Sequence, residues 1–201
     1  MTFKNDYLLG LIEKLAAAIA QIAAGKGTRP ANEEVVEIDA LLKGALNIDP
    51  MFLFANLSEV LKNIDRDLAF PVAQLLFLRM QALDRLNRYS ESSQITAVDF
   101  SIKCLEGKTK TKALDLLARH LVCIKDSPTL EKLLQLFEEN QRFANAEDVV
   151  FQLISNSQET YLEVGLAFYE RIQQLDDDLL DAGGLPRIEV KESFDELMGL
   201  R

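Results

Sequence analysis

His120 is the only imidazole in the chain, and Cys104 and Cys123 are its only thiols. His120 precedes Cys123 by three positions, which on a helix puts them on one face. Cys104 falls on the preceding helical segment and could fold back toward them. Such a set could hold a metal ion or pair a thiolate with its base. A nucleophilic arrangement also needs an orienting carboxylate, and a structural zinc site usually takes four ligands. Asp115, five positions before His120, lies on a different helix face. The expectation is therefore a hydrogen-bonded, partly buried histidine beside two small apolar thiols, with no catalytic, cofactor-binding or metal-binding residue.

Other groupings carry less chemistry. Asp176-Asp177-Asp178 with Asp181 could attract a divalent cation, but the turn glycine and distal bidentate glutamate of a calcium loop are missing from the required spacing. These carboxylates suit a helix start, facing the positive end of its dipole. Lys108, Lys110 and Lys112 alternate with threonines between helices, without aromatic residues on which bases could stack. Gly25-Lys26-Gly27 is too short for a phosphate-binding loop, and no strand precedes it. Glu138-Glu139 and Glu147-Asp148 read as exposed surface of a helix pair and not as paired catalytic acids.

The charge balance narrows the partners. The chain holds 22 basic and 32 acidic residues, a net charge of −10. From residue 126 to 201 there are 17 acidic and 6 basic residues, or −11, so the remainder is +1. A surface of that sign repels phosphate backbones, which speaks against nucleic acid and for a basic protein segment. Acidic surface also simply favours solubility. Glu13 and Lys14 interrupt the N-terminal apolar stretch, so the reading is no secretory signal and no uncharged membrane span. Cytoplasmic residence with reduced thiols is the expectation.

The elements that must position these residues are helical almost throughout, giving an all-α chain of about nine or ten helices. Asn5 or Asp6 caps a first helix that runs through Ala24 and stops at Gly25-Lys26-Gly27. Its positions Leu8, Ile12, Leu15, Ile19 and Ile22 step by four and three and form a narrow apolar seam. A second helix begins near Asn32, with Glu33 and Glu34 favourably placed in its first turn and Val35, Ile38, Leu41, Leu42 and Ala45 inward. Asn47-Ile48-Asp49-Pro50 breaks it, and 51–61 turns Phe52, Phe54 or Ala55, Leu57 and Leu61 inward.

A long helix is predicted after Pro71, with Arg79 falling in its apolar period. Ser90–Ser93 is predicted to interrupt order, and Ser101 to open a helix ending at Gly107. A helix over 113–124 follows. Asp126 caps another to Asn140. Asn145 opens the next, to Ser155, and Glu159 or Thr160 the one after, to Leu175. Asp176–Asp181 forms a short acidic helix or turn, 186–190 an extended stretch, and Glu192–Leu200 a last helix. One structural domain is expected overall, with residues 1–28 as an N-terminal helix and connector and 29–201 as a helical-repeat region.

Leu130, Leu133, Phe137, Phe143, Ala146, Val150 and Leu153 carry the most specific pattern. Phe137 ends the inner face of one helix, Phe143 plugs the turn, and Ala146 is small where two helices approach closely. The pattern restarts at Tyr161, Val164, Gly165 and Phe168. This resembles tetratricopeptide repeats over about 127–175. Leu134 and Leu153 depart from it, standing where that family has small residues. The resemblance implies stacked helical hairpins in a right-handed superhelix or bundle. The stretches Asn5-Asp6-Tyr7-Leu8, Ile12-Glu13, Gly25-Lys26, Leu86-Asn87 and Asp99-Phe100-Ser101 are also similar to an uncharacterised family of small all-helical Firmicute proteins, to which no activity, and hence no catalytic residue, is attached.

The expected function is binding without catalysis: a protein-interaction or scaffold module that takes a helical or extended, basic peptide in a groove between helices. Tyr161 and Tyr169 are the expected anchors, with Phe168 as anchor or core. Glu138, Glu139, Glu163 and Glu170 are expected to meet basic side chains. Two other classes stand beside it. One is a self-assembling protein dimerising through the seam Leu8, Ile12, Leu15, Ile19 and Ile22. The other is an enzyme or small-ligand receptor with a site near His120.

Overall fold

The computed structural model describes all residues but 1, 26, 27, 48, 89 and 107, and only the backbone of 2–5, 51, 52, 54 and 106. Neither Asn5 nor Asp6 caps the first helix, which begins at Thr2 and so takes both inside it. The Lys26-Gly27 and Gly107 helix stops, the Ile48 break and the inward Phe52 and Phe54 lie outside the described residues. The fold is all-α, and no strand occurs among the described residues. Among the described residues ten helices have seven residues or more, and two have six. The chain divides into two compact units, 1–123 and 124–201. A boundary at residue 28 is not where it separates.

In the first unit, α1 (Thr2–Ala24), α2 (Ala31–Leu46), α6 (Glu91–Lys103) and α7 (Lys110–His120) all pack on α5 (Arg66–Arg85), with α3 (Pro50–Ala55) and α4 (Leu57–Asn63) beside α6. The central position of α5 follows from its sequence: Leu68, Ala69, Val72, Ala73, Leu75, Leu76, Phe77, Met80 and Ala82 leave few polar positions, and all are buried. A helix apolar around most of its circumference needs neighbours on several sides.

Several expected boundaries move. Residues 51–61 divide between α3 and α4, and Ser101 lies inside α6, its hydroxyl donating to the Ala97 carbonyl at 2.9 Å, instead of opening a helix. α5 begins at Arg66, where the Asp65 carboxylate accepts the Asp67 amide at 3.0 Å, so Pro71 sits inside the helix instead of opening it. Pro71 lies in the second turn, where its missing amide costs one intrahelical bond to the Asp67 carbonyl. The run Ser90–Ser93 does not interrupt order: the Ser90 hydroxyl accepts the Ser93 amide and starts α6, because serine side chains that favour turns also cap helices. The predicted helix over 113–124 ends at His120 and tightens into a 3-10 turn, Leu121–Cys123, so His120 and Cys123 do not share an α-helical face.

The seam of α1 is taken up within the chain. Leu15 and Ile22 are buried, Leu8, Ile12 and Ile19 are half-buried, and α1 packs on α5 and α2. The spacing of the seam allows docking inside the chain first and a dimer contact second, and Leu15 and Ile22 are turned inward. By length and composition, α1 from Asp6 to Ala24 is apolar enough to cross a membrane, and only 17% of that stretch is buried.

In the second unit, α8 (Ser127–Glu139) and α9 (Phe143–Asn156) form one hairpin. α10 (Gln158–Ile172) packs on α9 and on α12 (Arg187–Gly199), and α11 (Asp177–Ala182) precedes α12. Asp126 caps α8 as expected, accepting the Thr129 amide at 2.8 Å. Leu130, Leu133, Phe137, Phe143, Ala146, Val150 and Leu153 are all buried. Residues 187–190 are helical and not extended: Pro186 sets the backbone for the first turn of α12, and the Val190 amide bonds the Pro186 carbonyl at 3.1 Å. Gly165 is buried where α10 crosses its neighbours. A Cβ there would stand 3.0 Å from Val150, Ile154 and Leu197 side chains.

Candidate functional site

The C-terminal ends of α8 and α10 and the start of α11 come together around a groove. α8 closes with Gln141 in the left-handed region at φ 55, while the Arg142 amide reaches back to the Phe137 carbonyl at 2.9 Å. This reversal satisfies the last carbonyls of the helix and lets the chain turn into α9. Glu138, Glu139, Gln141, Phe143, Arg171, Ile172, Leu175 and Leu179 line a half-open cleft of about 300 Å³. Leu175 and Leu179 also face a wider depression of about 850 Å³, edged by Asp176, Asp177, Asp178, Ala182 and Arg187. Leu175 and Leu179 thus line both depressions, with Glu138 and Glu139 in one and Asp176, Asp177 and Asp178 in the other.

Both arginines at the groove are held in place. One Arg171 guanidinium nitrogen donates to both Glu138 oxygens, at 2.7 and 3.0 Å. Arg187 donates to the Asp177 carboxylate at 2.8 Å, to the Gln173 carbonyl at 2.6 Å and to the Leu175 carbonyl. It thereby ties the start of α12 to the end of α10 and caps carbonyls that the helix leaves open. Glu139, Asp176 and Asp178 remain exposed. Gly183 locks the floor: its carbonyl accepts the Ala144 amide at 3.1 Å, and a Cβ on it would strike the Phe143 ring and approach the Gln141 carbonyl oxygen to 2.8 Å.

The expected partner-binding residues do not converge. Glu138 and Glu139 lie in the groove. Glu170 is exposed but is not among the residues lining the cleft. Tyr161, half-buried, and Glu163, exposed, sit near the other end of α10, about 15 Å along the helix from Arg171. There Glu163 pairs with Arg201 at 3.3 Å. Tyr169 is fully buried and cannot serve as an exposed anchor, and Phe168 is core. The groove residues that sequence patterning missed are Phe143, Arg171, Ile172, Leu175, Leu179 and Arg187. All lie at helix ends, where the helical period stops reporting which side faces out.

Glu147 is also misplaced by sequence reading. It is half-buried, and its carboxylate accepts the Tyr169 hydroxyl at 2.5 Å. Ser193 of α12 hydrogen-bonds to both. Burial pushes the Glu147 carboxyl above its usual range, opposed by the Tyr169 and Ser193 hydrogen bonds and reinforced by the charges of Glu189 and Asp148. Burial likewise raises Asp148. Tyr169 is held protonated, first by burial and then by its donated bond to Glu147. A buried phenol needs an acceptor, and that requirement is the signal that could have pointed to Glu147.

The His120 neighbourhood is built for packing. The ring is buried, stacks on Phe77 with centroids 4.7 Å apart and planes 12° apart, and meets the Gln81 amide nitrogen through Nδ1 at 2.7 Å. Cys104 lies in an apolar cluster with Ala69 and Ala113, its Sγ donating to the Phe100 carbonyl at 3.1 Å. Burial pushes this thiol up to about 11, against a lowering hydrogen bond from Thr109, so it carries no thiolate at neutral pH. Among the described residues no group of three or more His, Cys, Asp or Glu is placed to hold a metal ion.

Buried charge instead occurs between α2, α5 and α6. Glu34, only 3% exposed, pairs with Arg85. Arg79 donates to Asp39 at 2.7 Å and to the Ser93 hydroxyl at 3.2 Å. Glu34 stands in the first turn of α2, as expected, and is also part of the seam that joins α2 to α5. Its Oε1 has no hydrogen-bond partner among the described residues.

No curated protein and no solved structure matches the chain. Its whole described length, the acidic groove and the His120 core included, falls within one sequence family: the chain belongs to DUF6483, a family of unknown function, whose sequence profile matches residues 2–201.

Proposed function

We propose that this chain is a non-catalytic protein-interaction module, whose acidic groove in residues 124–201 takes a basic segment in helical or extended form. The observation that carries this reading is that Leu175 and Leu179 line both a cleft with Glu138 and Glu139 and an adjoining depression with Asp176, Asp177 and Asp178. A partner's apolar side chains meet Leu175 and Leu179, and its lysines or arginines meet Glu139, Asp176 and Asp178, whose carboxylates are exposed. The charge division supports the same partner. Residues 124–201 hold 17 acidic and 7 basic groups, or −10, while residues 1–123 hold 15 of each. The attraction is thus concentrated on the unit that holds the groove.

On this reading the α8–α9 hairpin and α10 are tetratricopeptide-like units, supported by the buried Phe137, Phe143 and Ala146 and by Gly165 at a close helix crossing. Cys104 and Cys123 are not joined in a disulfide, which accords with action in a reducing, cytoplasmic setting.

Fluorescence anisotropy with a labelled amphipathic lysine–leucine peptide tests the proposal. The full chain should bind it. Glu139→Lys/Asp176→Lys/Asp178→Lys should weaken binding by about tenfold or more, since three attractive charges become repulsive. Raising the salt concentration should weaken the wild-type complex more than the variant complex. Equal affinity for both proteins would count against the groove.

A further inference from the structure

The face of α1 turned away from α5 and α2 is exposed among the described residues. Tyr7 is 72% exposed and Leu9 58%. Glu13, Lys14, Ala16, Ala17, Ala20, Gln21, Ala23 and Ala24 are exposed as well. The buried Leu15 and Ile22 mark the opposite side. This is a second, independent stripe, distinct from the seam already used inside the chain. Over a helix about 34 Å long, it leaves a largely apolar surface in water.

The distribution of size and charge along this stripe is asymmetric, and the asymmetry points to the occupant. Bulk lies in the first half, at Tyr7 and Leu9. The second half is small: Ala16, Ala17, Ala20, Ala23 and Ala24. The exposed charges Glu13 and Lys14 sit side by side at the middle. If a second α1 is laid antiparallel about a point between residues 13 and 14, Tyr7 of one copy falls opposite Ala20 of the other. Gly10 falls opposite Ala17, and Glu13 opposite Lys14. Tyr7 then meets a small residue, Glu13 and Lys14 meet their opposites, and the helix dipoles oppose. A Cβ at Gly10 would meet nothing within 4 Å in its own chain, so this position is open to close approach. Parallel pairing would set Tyr7 on Tyr7, Leu9 on Leu9 and Glu13 on Glu13.

A lipid surface fits less well. α1 carries two basic residues, Lys4 and Lys14, and two acidic ones, Asp6 and Glu13. It lacks the basic rim that draws a helix to anionic headgroups, and the central charge pair opposes insertion across hydrocarbon. Its zero net charge also lets two copies approach without local repulsion.

We propose that the outward face of α1 is the contact between two copies of this chain, paired antiparallel about Glu13 and Lys14. The interface is isologous, each copy giving the same patch. It is independent of the groove and of any peptide in it.

Sedimentation equilibrium of the full chain tests this directly. The wild type at about 50 µM should show twice the 22.6 kDa chain mass. Ala17→Glu/Ala20→Glu, both at exposed helical positions, should give the single-chain mass with unchanged helical circular dichroism. Glu13→Lys alone should weaken the dimer about tenfold, because two cross-pairs turn from attractive to repulsive. Glu13→Lys/Lys14→Glu should restore it, a rescue that a merely structural role of either residue does not give. A wild-type single-chain mass, a dimer untouched by Ala17→Glu/Ala20→Glu, or a monomer that instead floats with lipid vesicles would each overturn the proposal.

Discussion

At Glu147 a carboxylate is kept partly away from water and held by two hydroxyls, Tyr169 and Ser193. Burial outweighs those hydrogen bonds and raises its pKa above the ordinary 4.5. The folded state therefore keeps a proton on Glu147 at pH values where the unfolded chain has released it. Stability from this group is fully present below about the ordinary carboxylate pKa and is lost as pH rises through the raised folded value. Glu147→Gln removes the buried charge and still offers Tyr169 a carbonyl oxygen. Its melting temperature should exceed that of wild type at pH 8, and the gain should shrink toward zero as pH falls below about 4.5. A variant less stable than wild type at pH 8 would show that the charged hydrogen bond from Tyr169 outweighs desolvation. The acid was misread because residues 147 and 148 look like an ordinary solvated pair. Its burial depends on α12, which is distant in sequence.

Helix ends decide what the elements present. Gly183 has an ordinary φ of −81, so its requirement is space and not backbone freedom. With a Cβ directed into the Phe143 ring and at the Gln141 carbonyl, Gly183→Ala should cost about 1–3 kcal/mol by overpacking. Gly44→Ala in α2 meets nothing within 4 Å and should stabilise by about 0.5–1 kcal/mol through helix propensity. Urea unfolding midpoints measure both. The legibility of the elements follows the same physics. Asp126 was readable as a cap because capping is local. Ser90 was not, because a serine run looks alike in a cap and in a loop. Pro71 was taken as a helix start because proline favours a first turn, yet the Asp65 cap and apolar neighbours carry the helix through it. Tyr169 sits beside Phe168 on a helix packed by both α9 and α12, so a single-sided period could not tell core from surface.

Across the whole molecule, hydrophobic period and charge count were the legible quantities. They gave the all-α class, the buried residues of the α8–α9 hairpin and the acidic C-terminal portion. They could not give the division at residue 123 or the pairing of Glu34 with Arg85 and Asp39 with Arg79, because long-range ion pairs leave no mark in local periodicity. They also could not place Glu139 and Asp178 in adjoining depressions that share Leu175 and Leu179, which takes three helix ends meeting. The neutral unit holds the exposed helix α1, and the unit at −10 holds the groove. The proposed self-association and the proposed partner capture thus rest on different units.

The claim that the groove receives a basic segment is tested most directly by amide chemical shifts of the isotopically labelled full chain during titration with the lysine–leucine peptide. Perturbations should centre on Glu139, Arg171, Ile172, Leu175, Leu179 and Asp178, and leave Tyr161 and His120 unmoved. Shifts centred elsewhere, or none at a saturating peptide concentration, would contradict it.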